Sequence, residues 1–145
     1  MQFHLPVVDG LDVAQQSPGH QTLVILDASV DNLPALIADV RSHAEVHVLM
    51  PHRDGVEQIT EILKGRDRLT SLHLVSHGAP GQLYLGNAEL SIDTAARYAE
   101  QITAWSSVLG GADLHLYGCR VADGVRGHLF LAQLRQLTEA NIAAS

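Results

Sequence analysis

Two residues in this 145-residue chain have the types and setting for nucleophilic chemistry: His77 and the single cysteine, Cys119. A thiol nucleophile needs a base or imidazolium within hydrogen-bond reach and donors where an oxyanion can develop. His77 closes the run Leu-His-Leu-Val-Ser-His-Gly at 72–78, and Cys119 closes Asp-Leu-His-Leu-Tyr-Gly-Cys-Arg at 113–120. Each run reads as a buried strand that stops at a glycine-containing turn. Gly118 lets the chain turn sharply before the thiol. Gly78 leaves a backbone N–H free to point inward. If the two strands are neighbours, their ends lie roughly 5 Å apart. The N–H groups of Gly78 and Cys119 then form an oxyanion hole. The competing reading is structural, because a lone free cysteine is most often a small buried hydrophobe.

The elements needed to place this pair are legible in order. Residues 1–20 carry Pro6, Gly10, Pro18 and Gly19 and read as an N-terminal arm or linker, in which Val7-Val8 can add an edge strand. The domain is expected to occupy 21–145. Thr22–Leu26 is continuously apolar, as in a strand buried on both faces. It stops at Asp27-Ala28-Ser29. Asp31 is expected to cap a helix with Pro34 in its first turn and Leu33, Leu36, Ile37 and Val40 on one face. Ala44–Met50 reads as the next strand and Val56, Ile59, Ile62 and Leu63 as the stripe of the next helix. The third strand is Leu69–Ser76.

After it come a turn at 79–81, a short strand at 82–85 and a return at Glu89-Leu90, together a small hairpin. A helix through Ile92, Ala95, Ala99, Ile102 and Leu109, with Trp105 beside it, is broken by Gly110-Gly111. The fourth strand is Ala112–Tyr117, the last helix about 125–137, and 141–145 the start of a fifth strand. Repeated strand–helix–strand units imply an α/β three-layer sandwich with a mainly parallel sheet. In such a sheet, sites form in the crevice at the carboxyl ends of the strands.

Composition narrows the partners. Hydrophobic residues make up 46% of the chain and charged ones 17%, which suits one domain with a real core. The net charge of -7 and the pI near 5.6 argue against a nucleic-acid partner. No apolar run reaches the roughly 18 residues of a membrane span. No signal peptide is visible at the start. One cysteine excludes an internal disulfide and a multi-cysteine zinc site. The nine histidines show no metal-ligand spacing, so no metal or cofactor is expected. His47, His73 and His115 fall inside strands and read as satisfied core or interface histidines. Tyr84 and Tyr117 read as core packing, with a groove lining as the alternative. Asp27 ends a strand and points to the crevice. It either caps its own loop or floors a pocket for a basic side chain.

Ser76-His77-Gly78 and Tyr117-Gly118-Cys119 resemble the His-Gly and strand-end Cys motifs of the caspase/hemoglobinase clan of cysteine peptidases. More closely, 24–145 resembles the bacterial domain DUF4347, through Leu26-Asp27-Ala28-Ser29-Val30, Asp54–Ile59, Val75–Gly78 and Leu116–Cys119. The resemblance implies a caspase/hemoglobinase-like fold, with His77 as the catalytic histidine, Cys119 as the nucleophile and Gly78 as the oxyanion glycine. It implies substrate-binding positions at Asp27, Ser76, Gly118 and Arg120, and a Lys or Arg preference if Asp27 reads the P1 side chain. Arg120 is placed to salt-bridge Asp27 and fill that pocket. The implied substrate is a peptide or protein, including the parent polypeptide of a large secreted or cell-surface bacterial protein. The implied alternative is a non-catalytic module of the same fold in secretion or assembly of an adhesin.

Overall fold

A computed structural model describes residues 21–144; the arm expected at 1–20 lies outside the described residues. The sheet is built on β1 (Thr22–Asp27), whose residues Leu23 to Leu26 are fully buried. Around it lie β2 (Glu45–Leu49), β3 (Ser71–Val75), β7 (Asp113–Tyr117) and β8 (Asn141–Ala144), in the order β2-β1-β3-β7-β8 and all parallel. The helices are α1 (Leu33–Val40), α2 (Gly55–Leu63), α3 (Ala95–Ala104), α4 (Ser106–Leu109) and α5 (Gly124–Thr138). Three layers result, as the strand–helix rhythm predicts.

Alternation along the strands divides the interior in two. Leu23, Ile25, Leu72, Leu74, Leu114 and Leu116 enter one core, with Val56, Ile59, Ile102, Phe130 and Leu134 of α2, α3 and α5. Val24, Leu26 and Val75 enter a smaller core on the opposite face, with Val40 and the partly buried Leu33, Leu36 and Ile37 of α1. Each fully buried aliphatic side chain stabilises the fold by about 1.5–3 kcal/mol relative to exposure, so the larger core dominates.

One helix start is capped by the side chain of the polar residue before it. The Asp54 carboxylate accepts from the N–H groups of Val56 at 2.8 Å and Glu57 at 3.1 Å, capping α2. Its other oxygen accepts from the Tyr98 hydroxyl at 2.6 Å, joining α2 to α3 and raising the Tyr98 pKa. The expected Asp31 cap is not used. α1 begins at Leu33 after Asn32, which is left-handed at φ 58° and makes no side-chain cap. The helix expected through 92–109 is two helices, interrupted at Trp105. That ring is buried, and its indole N–H donates to Thr60 Oγ1 at 2.9 Å.

The small hairpin gains a strand. β4 (His77–Ala79), β5 (Gln82–Leu85) and β6 (Ala88–Ser91) form a separate antiparallel sheet, whose Leu83, Leu85 and Leu90 fill the larger core. β4 begins two residues after β3 ends. The chain therefore leaves the parallel sheet and enters the antiparallel one at His77.

Candidate active site at the carboxyl ends of β3 and β7

β3 and β7 are hydrogen-bonded neighbours in register Val75↔Tyr117, and Ser76 N–H donates to Tyr117 O at 2.9 Å. Two residues further along each chain, His77 and Cys119 stand at the same sheet edge. Both are exposed. Their turns touch through backbone, without a side chain between. A Cβ on Gly78 would come within 3.4 Å of Gly118 Cα, and one on Gly118 within 3.4 Å of Ser76 O. Both glycines rest on the buried Val121. Its Cγ2 would lie 2.6 Å from a Cβ on Gly78 and 3.0 Å from one on Gly118.

The His77 ring is held in place. Its Nε2 lies 3.0 Å from the carbonyl oxygen of Ser29, which can only accept, so Nε2 carries the proton and Nδ1 is the acceptor of the neutral ring. Across the β4–β5 ladder His77 faces Tyr84, an exposed tyrosine whose hydroxyl accepts from Gln82 Nε2 at 2.7 Å. The expectation of Tyr84 as core packing is thereby corrected, since alternate hairpin residues turn outward while Leu83 and Leu85 turn in. No hydrogen bond joins the His77 ring to the thiol. The Cys119 N–H donates to no backbone acceptor among the described residues.

The other expected site residues are placed differently. Asp27 is buried, at 4% exposure. One carboxylate oxygen accepts from Gly86 N–H at 2.7 Å; the other accepts from Ser29 N–H at 3.1 Å and from the Ser29 hydroxyl. Of its two expected roles, loop capping is the one the geometry realises. A pocket floor for a basic side chain requires an open carboxylate. Arg120 does not pair with Asp27 but with Asp123, Nε to Oδ2 at 2.7 Å, on the surface, and this partner raises its pKa. Arg120 is also left-handed, at φ 58°. Ser76 is buried, and its hydroxyl donates to His77 O at 3.0 Å.

Of the three strand histidines, expected as core or interface residues, only His73 is buried; His47 and His115 are half-buried. His73 is buried, stacks on His115 at 4.6 Å between ring centroids and hydrogen-bonds the Tyr117 hydroxyl through Nδ1 at 3.0 Å. Burial, then the neighbouring His115, pushes its pKa down to about 4. Burial raises that of Tyr117. His47 pairs with Glu45, which Arg66 also holds.

Sequence reasoning missed Ser29, Gly86 and Val121 as parts of the site. Asp27-x-Ser29 carries the signature of a turn in which Asp bonds the backbone two residues on, so half of the contact was available. Backbone acceptors such as Ser29 O leave no side-chain signal.

The profile of the domain of unknown function DUF4347 matches residues 23–145, an interval that holds Asp27, His77 and Cys119. The chain belongs to the DUF4347 family. No curated protein matches this DUF4347 domain in sequence. Among solved structures it is similar to the flavodoxin-like domain of a Synechococcus sp. protein, with 14% identity, 86% of this chain and 81% of that one covered, and a TM-score of 0.43. It is also similar to a diflavin flavoprotein A3 from Nostoc sp., with 12% identity, 86% and 77% coverage, and a TM-score of 0.41. No helix among the described residues of the DUF4347 domain is long and apolar enough to cross a membrane.

Proposed function

We propose that this domain is a cysteine endopeptidase of the caspase/hemoglobinase type, with His77 as base and Cys119 as nucleophile. One observation carries the reading: His77 is pinned at Nε2 by Ser29 O, at a strand end whose parallel neighbour ends in Cys119. With the proton on Nε2, Nδ1 is the ring atom that can take the thiol proton. The thiolate then attacks the peptide carbonyl carbon, and the carbonyl electron pair moves to oxygen. The N–H groups of Gly78 and Cys119 hold that oxyanion. The imidazolium returns its proton to the leaving amine as the C–N bond breaks, leaving a thioester. Water, deprotonated by His77, attacks the thioester and restores the thiol.

The substrate class is a peptide or protein, with the parent polypeptide of a secreted or surface protein as the natural candidate. A basic P1 preference is not carried forward, because the carboxylate it relied on is buried and engaged. The test is covalent labelling of this chain with peptide acyloxymethyl ketones carrying Arg, Lys, Asp or Leu at P1. A mass adduct on Cys119, lost in His77→Ala and Cys119→Ala, is expected. Folded protein that no probe labels on Cys119 overturns the peptidase and leaves a non-catalytic module of the same architecture.

A further inference from the structure

We infer that Asp27 is a positioning residue for His77, acting through two backbone supports at once. One support is the turn after β1. The Asp27 carboxylate takes the Ser29 N–H and hydroxyl, and Ser29 in turn offers its carbonyl to His77 Nε2. The other support is the β5–β6 turn. The second Asp27 oxygen takes the Gly86 N–H, and Gly86 sits in the turn that joins β5, the strand pairing His77 to Tyr84, to β6. One buried carboxylate thus ties the acceptor of the imidazole to the sheet that carries its backbone.

The surrounding contacts explain why this linkage is rigid. Ala28 N–H donates to Leu49 O and Val30 N–H to Asp27 O, which fixes the path of the β1 turn. Gly86 is left-handed at φ 60°, and Asn87 N–H donates to Arg53 O at 2.9 Å, which seats the hairpin turn on the loop before α2. A carboxylate is the group that suits this position. It offers acceptors on both oxygens and no donor, and three donors converge on it. An asparagine in its place must present an NH2 group to at least one of those donors.

The consequence for catalysis rests on the peptidase reading; the positioning of the ring does not. Long-range nitrogen–proton correlation spectra of histidine-labelled full chain read the His77 tautomer directly. Wild type is expected to show the Nε2–H form. In Asp27→Asn, with a Tm that confirms folding, the His77 signals are expected to move to a mixture of tautomers. Ketone labelling of Cys119 is expected to slow by about tenfold or more, as for a misplaced catalytic group. Ser29→Ala, which removes only the hydroxyl contact, is expected to raise the Nδ1–H form by less. An unchanged His77 tautomer in folded Asp27→Asn overturns the inference, even if Cys119 is labelled. Should Asp27→Asn fail to fold, Ser29→Ala decides, and no change in its tautomer populations overturns it. A tautomer change in a protein whose Cys119 is never labelled supports the positioning and removes the peptidase.

Discussion

The turns after β3 and β7 stand side by side at one sheet edge, yet they are built on opposite plans. The His77 turn is tied on every side: Ser76 hydroxyl to His77 O, His77 Nε2 to Ser29 O, and His77 to Tyr84 across a ladder. The Cys119 turn is exposed, and its one side-chain pair, Arg120 with Asp123, lies in solvent. The difference teaches where order is invested. The His77 ring is held in one direction by the carbonyl of Ser29. The Cys119 thiol is exposed, and Val121 supports its turn from below.

The sharpest way to break that asymmetry is Gly86→Ala. The new Cβ would land 2.1 Å from Arg53 O, at φ 60°, in the turn that Asp27 grips. Left-handed strain and overpacking together predict a loss of about 3 kcal/mol or more, readable by urea unfolding, with disturbance of His77 ahead of Cys119. Gly78→Ala is next. Its Cβ would meet Val121 Cγ2 at 2.6 Å, and it is expected to cost about 1–3 kcal/mol and to wedge the two turns apart. Gly118→Ala, at 3.0 Å from the same methyl, is expected to cost less. Equal losses in the two would dissolve the comparison.

Acid reports on a second histidine, His73, four residues upstream of His77. His73 titrates near 6.5 when unfolded and at about 4 when folded, so between those values the unfolded chain binds a proton that the folded chain refuses. Its contribution is complete above pH 6.5 and fades as pH falls toward 4, by up to roughly 3 kcal/mol at full burial. His73→Phe is expected to flatten that slope in stability measured against pH. Glu45, held at about 2 chiefly by its hydrogen bond to Arg66, keeps its contribution until pH drops below about 4.5, so its window lies mostly below that of His73. The smallest effect belongs to Arg120→Ala. It removes an exposed pair and is expected to leave the thermal midpoint where it was, because solvent screens such pairs.

Much of this arrangement is readable from residue order alone. Thr22–Leu26 is apolar without interruption because both faces of β1 are covered, and that pattern has one explanation in a chain that alternates strands and helices. Gly110-Gly111 and Gly65 mark helix exits for an equally local reason. The misses have local causes too. Asn32 rather than Asp31 precedes α1, because a left-handed entry needs no side-chain cap. Ala79-Pro80-Gly81 reads as a turn, yet Ala79 already closes a strand, His77–Ala79, whose partner Gln82–Tyr84 lies beyond Pro80-Gly81. A three-residue strand has no periodicity to detect.

By itself, then, the order of residues determined the parallel sheet, the strands that lead to His77 and Cys119, and the glycines that bring those ends together. Periodicity and turn chemistry are short-range properties, and both are written in neighbouring residues. The tertiary structure alone decided that Asp27 faces inward to Ser29 and Gly86, that Arg120 turns to Asp123, and that a backbone carbonyl orients the imidazole. Each is a choice among hydrogen-bond partners distant in sequence or made by backbone atoms common to every residue. Such choices are settled only when the chain has packed.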